Sequence, residues 1–96
     1  MQNIYNKELL NMKKFSREEI EKKVNDIIVD ELGVSNDEVK PDALMKDDLC
    51  ADSLDAVEIT LELEREFGIT ISDEDMDGLT HCKVSDIYDL VNRLSK

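Results

Sequence analysis

One serine, Ser53, has neighbours that would suit covalent modification. It follows a run of acids and small residues at positions 47–52 and precedes a segment whose apolar residues recur at helical spacing. Ser53 and Asp52 are both good N-cap residues, so a helix is predicted to begin within one residue of Ser53. The free N–H groups and the positive dipole end of a helix start favour an anion, including a phosphate attached to the serine itself. Ser53 is therefore a candidate modification site, and simple helix capping is the alternative interpretation.

A second acidic run has the pattern of a calcium site. The segment from Asp73 to Gly78 matches the first six positions of an EF-hand loop, with acids at positions 1, 3 and 5 and glycine at position 6. Position 12, where a bidentate glutamate closes such a loop, is Val84. Because the closing ligand is missing, we expect only weak binding of divalent cations to clustered carboxylates. An acidic, calcium-responsive interaction module is retained as an alternative function.

The two cysteines and the single histidine are a third candidate site. His81 and Cys82 are adjacent and Cys50 lies upstream, but their spacing matches no zinc motif and no third group is evident to orient a Cys–His pair. We assign no metal ligand, and expect Cys50 to lie close to the helix start and His81 on a surface loop. The sequence contains no glycine-rich phosphate loop, basic stripe or paired-carboxylate cleft. The chain is therefore not expected to be an enzyme.

Length and charge narrow the classes of function. The chain has 96 residues, which suffice for one small domain but not for a deep catalytic cleft. It contains 24 acidic and 12 basic residues, and the stretch from Asp47 to Asp77 has 12 acids and one base, or −11 of the net charge of −12. Such a field repels nucleic acids and anionic membranes and attracts basic protein surfaces. A face that only improves solubility would have the same composition.

Four helices are predicted to position the candidate serine. The first runs from Ser16, which begins a capping-box pattern, to Gly33, and the second from Ser53 to Phe67. The third is a short stretch capped by Ser72, and the last begins between Lys83 and Ser85 and fades at Lys96. Residues 34–48 are predicted to form a long ordered loop after the first helix, with apolar anchors at Val39, Leu44, Met45 and Leu49. Since no convincing strand is present, the predicted fold is all-α: a small four-helix bundle with three main helices and a short third helix.

The predicted helix at Ser53 has two apolar stripes. One is expected to face the core and contains Ala56, Ile59, Leu63 and Phe67. The other contains Leu54, Val57 and Leu61, with Glu58 and Arg65 beside them. This second stripe either meets the core through the long loop or forms part of a docking surface for partners.

The segment around Ser53 resembles the acyl carrier protein family. The resemblance rests on Asp-Leu-Cys-Ala-Asp-Ser-Leu-Asp at positions 48–55, followed by Ala-Val-Glu-Ile and a Glu-rich helix, and it extends from Ser16 to Leu94. Two features depart from the family's pattern. Cys50 stands where such proteins usually have glycine, and the link from Leu79 to Val84 is longer than usual.

The resemblance implies a carrier of acyl groups. In that family the serine of the Asp-Ser-Leu motif carries 4′-phosphopantetheine, which implies attachment at Ser53, flanked by Asp52 and Leu54. The arm would hold acyl intermediates as thioesters, with fatty acid biosynthesis as the default pathway and a dedicated carrier for another acyl or aminoacyl group as the alternative. The implied partners are a phosphopantetheinyl transferase and acyl-transfer and fatty-acid-synthesis enzymes with basic patches, which would meet Leu54, Val57, Glu58 and Leu61.

The N-terminal residues and the two cysteines indicate the cellular compartment in which we expect the protein. Residues 1–14 are predicted to be a flexible extension before a carrier domain at residues 15–96. They contain no arginine and include Glu8, unlike a transit peptide, and Met12 is an alternative native start. Cys50 and Cys82 form no C-x-x-C pair, and no apolar signal region follows the start. We therefore expect a cytoplasmic monomer that neither inserts into membranes nor binds nucleic acid.

Overall fold

A computed structural model of the chain describes residues 15–95, which form an all-helical bundle. Its elements are α1 (Arg17–Leu32), a 3₁₀ turn (Asn36–Glu38), α2 (Ser53–Phe67), α3 (Asp73–Gly78) and α4 (Val84–Leu94). The predicted fold class and the short third helix are confirmed. None of the helices between residues 15 and 95 is long and apolar enough to cross a membrane. The extension predicted at residues 1–14 lies outside the described residues.

Local capping interactions set the ends of the main helices. At the start of α1, the Ser16 hydroxyl accepts a hydrogen bond from the Glu19 N–H at 3.1 Å, and the Glu19 carboxylate accepts one from the Ser16 N–H at 2.9 Å. α1 and α2 end at Gly33 and Gly68, whose φ angles of 68° and 65° lie in the left-handed region that glycine adopts without steric cost. These boundaries are the predicted ones.

The core lies where α1 packs against α2 and α4. The stripe predicted on α2 is buried, and Ile59 and Leu63 have no exposed surface. Complete burial of such side chains contributes about 1.5–3 kcal/mol each. The other fully buried side chains come from α1, α4 and the long loop: Ile20, Val24, Ile28, Met45, Val84, Ile87 and Val91.

The long loop between α1 and α2 is tied to the start of α4. The Met45 N–H donates to the Cys82 carbonyl at 2.9 Å, and the Val84 N–H donates to the Ala43 carbonyl at 3.0 Å. These bonds flank an isolated antiparallel bridge at Leu44. Side chains alternate in direction along such extended backbone, so Ala43 and Met45 point inward and Leu44 is 36% exposed. The prediction of Leu44 as a core anchor was wrong, whereas Val39, Met45 and Leu49 are buried as predicted.

Candidate functional site

Ser53 is the first residue of α2, and its side chain is exposed. The N-cap is Asp52, which accepts a hydrogen bond from the Asp55 N–H at 2.9 Å, while the Asp55 carboxylate accepts one from the Asp52 N–H at 3.1 Å. This reciprocal pair satisfies two of the backbone donors at the helix start. Capping is therefore the role of Asp52, and Ser53 is not needed for it.

The contacts of Asp52 also keep it ionised. Its pKa is lowered, first by the hydrogen bond from the Asp55 backbone N–H. The positive end of the α2 dipole acts in the same direction. At neutral pH a negative charge thus lies next to the Ser53 hydroxyl.

The chain reaches Ser53 through a residue in an unfavourable conformation. Cys50 has a φ angle of 61°, and it is the one residue other than glycine with positive φ in the described part of the chain. The Cys50 N–H donates to the Lys46 carbonyl at 3.0 Å and the Ala51 N–H donates to the Met45 carbonyl at 2.8 Å, so the backbone is held in this turn. Glycine, the residue usual at this position in acyl carrier proteins, adopts the same angle without steric cost.

A groove of about 380 Å³ lies beside Ser53. We call it the Ser53 groove, and it is lined by Ser53, Ala56 and Val57 of α2, Met76 and Asp77 of α3, and Thr80 and His81 of the following loop. His81 is exposed on a surface loop, as predicted. The sequence did not predict that His81, Met76 and Thr80 line the same groove as Ser53, because this depends on the packing of α3 against α2. One sequence signal was available: the link from Leu79 to Val84 is longer than is usual in acyl carrier proteins.

The second stripe of α2 faces solvent. The exposed fractions of Leu54, Val57 and Leu61 are 66%, 39% and 54%, and Glu58 beside them is also exposed. The alternative in which the long loop buries this stripe against the core is therefore wrong. Three apolar side chains on one helix face, next to a carboxylate, form a compact patch, which we call the α2 patch: Leu54, Val57, Glu58 and Leu61.

The calcium-loop pattern folds as a helix. Residues Asp73–Gly78 form α3, in which the Ser72 hydroxyl accepts a hydrogen bond from the Asp75 N–H at 3.1 Å. The Asp75 carboxylate forms an ion pair with Arg93 of α4 at 3.5 Å. Successive helical side chains point in different directions, so these carboxylates do not surround a common point as in an EF-hand loop. Within residues 15–95, no group of three or more His, Cys, Asp or Glu side chains is arranged to hold a metal ion.

The thiol of Cys82 is poorly suited to nucleophilic chemistry. Burial raises its pKa to about 11, and the nearby carboxylate of Asp86 acts in the same direction. Because the thiolate is the reactive form, Cys82 is almost entirely unreactive at neutral pH. Cys82 is half-buried and Cys50 is exposed, and both are free thiols.

A comparison with protein families decides the class to which this fold belongs. The family model described as a phosphopantetheine attachment site matches residues 22–91, which is well over half of the chain. The chain belongs to the phosphopantetheine-binding carrier family. Its cofactor is 4′-phosphopantetheine, which the family carries as a covalently attached group, and the domain is a carrier rather than a catalyst. Such a carrier interacts with a phosphopantetheinyl transferase and with acyl-handling enzymes.

The residues at the start of α2 fit this cofactor. The Ser53 hydroxyl is exposed, so an enzyme can reach it. The Ser53 groove beside it offers an apolar wall from Ala56, Val57 and Met76 together with the polar side chains of Thr80 and His81. This mixture suits an arm that has apolar carbons, amide groups and one phosphate. When bound, the cofactor supplies a thiol on which acyl groups are held as thioesters.

Proposed function

We propose that Ser53 carries the 4′-phosphopantetheine and that the protein presents acyl groups on this arm to partner enzymes. The observation that supports this assignment is the exposed Ser53 hydroxyl at the start of α2, freed from capping by Asp52. In the attachment step, a bond forms between Ser53 Oγ and the phosphorus nearest the pantetheine of coenzyme A. The pyrophosphate bond breaks, adenosine 3′,5′-bisphosphate leaves, and a base of the transferase takes the serine proton.

The neighbours of Ser53 have separate tasks in this proposal. Asp52, ionised at neutral pH, orients Ser53 or contributes an oxygen ligand to the Mg²⁺ of the transferase. Leu54 is largely exposed next to the modified residue, where it can contact the transferase. Modification does not require the fold to change, because the Ser53 side chain is not part of the core.

Modification in vitro tests the assignment of Ser53. We expect coenzyme A, Mg²⁺ and a phosphopantetheinyl transferase to raise the intact mass by one phosphopantetheine, and a peptide map to place the group on Ser53. Ser53→Ala is expected to remain unmodified. Ser72→Ala, which changes another exposed serine at a helix start, serves as the matched control and is expected to be modified fully. Modification of Ser53→Ala to the same extent as the parent would show that the assignment is wrong.

We assign partner docking to the α2 patch. Its leucine and valine side chains offer apolar contact area, and Glu58 offers a charge that attracts Lys or Arg on a partner. The patch follows Ser53 on the same helix, so a partner that covers it holds the arm close to its own active site. The partners in this proposal are the transferase and acyl-transfer enzymes with basic patches.

Fatty acid biosynthesis is the pathway that we propose, and its support is the resemblance to acyl carrier proteins. We place this carrier in the cytoplasm because Cys50 and Cys82 are both free thiols. An intact-mass measurement on protein isolated from its own cells tests the pathway. Attached acyl chains that differ by two-carbon steps are expected, whereas a single aminoacyl group would identify a dedicated carrier of another kind.

A further inference from the structure

We propose that His81 positions the phosphopantetheine arm by donating a hydrogen bond to the phosphodiester attached to Ser53. The inference rests on the proposed attachment at Ser53. Both residues line the Ser53 groove, and His81 is the single histidine of the chain. A group joined to Ser53 Oγ therefore borders the same groove as the imidazole.

The start of α2 leaves few donors for an attached phosphate. The Asp55 N–H donates to the Asp52 carboxylate at 2.9 Å, and the Asp52 N–H donates to the Asp55 carboxylate at 3.1 Å. Two of the N–H groups that a helix start would offer an anion are thus already bonded, and their acceptors are themselves negative. A donor from another element of the fold would therefore add to what the helix start offers a phosphodiester on Ser53.

Positive charge is scarce in this part of the chain. Arg65 is the single base between Asp47 and Asp77, and its guanidinium pairs with Glu62 at 2.9 Å. Among the residues that line the Ser53 groove, His81 is the one whose side chain can become a cation. The Thr80 hydroxyl lies 3.4 Å from the Asp77 carbonyl, to which it donates. His81 is therefore the donor in the groove best suited to an anion.

The backbone around His81 is held by hydrogen bonds. The His81 N–H donates to the Gly78 carbonyl at 3.0 Å, and the carbonyl of the next residue, Cys82, accepts from the Met45 N–H at 2.9 Å. Because the backbone on both sides of the imidazole is anchored, ordering the side chain against the arm loses little further entropy. A donor on an unanchored loop would lose more.

The charged groups around the Ser53 groove, apart from His81, are carboxylates. Asp77 of α3 is the carboxylate that lines the groove, and the lining residues of α2, Ser53, Ala56 and Val57, carry no charge. Asp52 precedes the attachment residue and is ionised at neutral pH. A phosphodiester on Ser53 adds one more negative group to this end of the groove. Attachment is therefore expected to favour protonation of His81.

The single histidine and the single phosphodiester allow a paired NMR titration. A phosphodiester lacks the second ionisation of a phosphomonoester, so its ³¹P shift should have no inflection of its own between about pH 5 and pH 8. We expect the ³¹P shift of the loaded protein to follow the titration of the His81 ring protons, with the same midpoint. We also expect that midpoint to be higher in the loaded than in the unloaded protein, because the added negative charge favours the imidazolium.

Two variants separate the contact from a general effect of charge. His81→Gln keeps a hydrogen-bond donor and removes the titrating charge, so the ³¹P inflection is expected to vanish. Lys83→Gln removes a positive charge from the same loop but outside the Ser53 groove, so the inflection is expected to persist. His81→Ala is expected to increase the mobility of the first amide of an isotope-labelled arm, and His81→Gln to restore part of the ordering.

The possible failures can be told apart. If a peptide map places the arm on Ser53 and the ³¹P shift shows no inflection, or Lys83→Gln abolishes it as fully as His81→Gln, the role of His81 is wrong and the proposed function stands. If the mass is unchanged or the map places the arm elsewhere, the proposed function is wrong and the role of His81 fails with it.

Discussion

The residues just before Ser53 combine a strained backbone with a strong cap. Cys50 has a φ angle of 61°, a conformation that costs an L-residue about 1–2 kcal/mol relative to the right-handed region. Asp52 and Asp55 cap α2 reciprocally, and Ser53 is left as an exposed hydroxyl at the helix start. The strain at Cys50 is retained because backbone hydrogen bonds from Cys50 and Ala51 close the turn.

Substitution of Cys50 tests whether its backbone angle limits stability. Cys50→Gly is expected to raise the free energy of unfolding by up to about 1 kcal/mol, because glycine adopts positive φ freely and the residue is exposed. Cys50→Ala, which removes the thiol and keeps the Cβ atom, is expected to leave stability close to that of the parent. Urea denaturation of both variants measures the difference. An equal gain from Cys50→Ala would trace the effect to the thiol and contradict the role of the φ angle.

The two faces of helix α2 differ in burial. Ile59 and Leu63 have no exposed surface and pack in the core, whereas the apolar members of the α2 patch are between 39% and 66% exposed. Glu58 lies in the patch and is also one of the charges that raise the pKa of Glu31 on α1. A change at Glu58 therefore alters surface charge without opening a cavity.

Charge reversal at Glu58 is expected to weaken partner binding without loss of stability. Glu58→Lys should lower the association rate with an acyl-transfer partner, and the effect should diminish with salt, since exposed charges are screened over about 8–10 Å at physiological ionic strength. Its melting temperature should equal or slightly exceed that of the parent, because repulsion of Glu31 is relieved. Surface plasmon resonance at low and high salt measures binding. Glu74→Lys makes the same charge change on α3, outside the α2 patch, and should have less effect.

A substitution on the buried face of α2 is expected to have the opposite effects, lowering stability while leaving partner binding intact. Leu63→Ala should cost about 2–5 kcal/mol of folding stability through the cavity that it leaves, while the folded fraction still binds the partner. If Glu58→Lys destabilises the fold as much as Leu63→Ala, the assignment of the two faces is wrong. If it leaves partner affinity unchanged at low salt, the docking role of the α2 patch is wrong.

The charge of the whole molecule makes its stability depend on pH. The sequence has a net charge of −12, and carboxylates of α1 and α2 approach one another. The pKa of Glu31 is raised, first by desolvation and then by Glu58, Glu62, Asp30 and Asp55. The pKa of Asp52 is lowered, first by the hydrogen bond from the Asp55 backbone N–H. These two groups therefore affect stability in opposite directions.

The stability of the protein is expected to pass through a maximum below pH 7. Glu31 destabilises the fold when ionised, so stability should rise as pH falls through its raised pKa towards the ordinary value of 4.5. Asp52 stabilises the fold when ionised, so its contribution should be lost as pH falls below the ordinary value of 3.8. Urea denaturation across this range gives the profile. Glu31→Gln should reduce the increase in stability as pH falls towards 4.5, and Asp52→Asn should reduce the loss of stability below pH 3.8. If neither variant changes the pH profile, these two residues are not its cause.

Interactions between near neighbours in the chain could be predicted from the sequence. These interactions include the capping pair Ser16 and Glu19, the glycines that end α1 and α2, the start of α2 and the spacing of its buried residues. In each of them the residues involved lie close together in the sequence. The resemblance around Ser53 led to the carrier family, which the family match at residues 22–91 confirmed. Such patterns are visible in the sequence because each depends on geometry that one helix or one turn already determines.

Contacts between distant segments were decided only by the tertiary structure. Whether the second stripe of α2 is buried depends on which elements cover it, and the structure leaves it exposed. The bridge to Lys83 turns Leu44 outward, and the packing of α3 against α2 brings His81 into the groove that Ser53 also lines. The acidic pattern after Ser72 could be a calcium loop or a helix, and the cap at Ser72 and the ion pair with Arg93 accompany the helix. Sequence alone did not settle these because burial and proximity depend on how the whole chain packs.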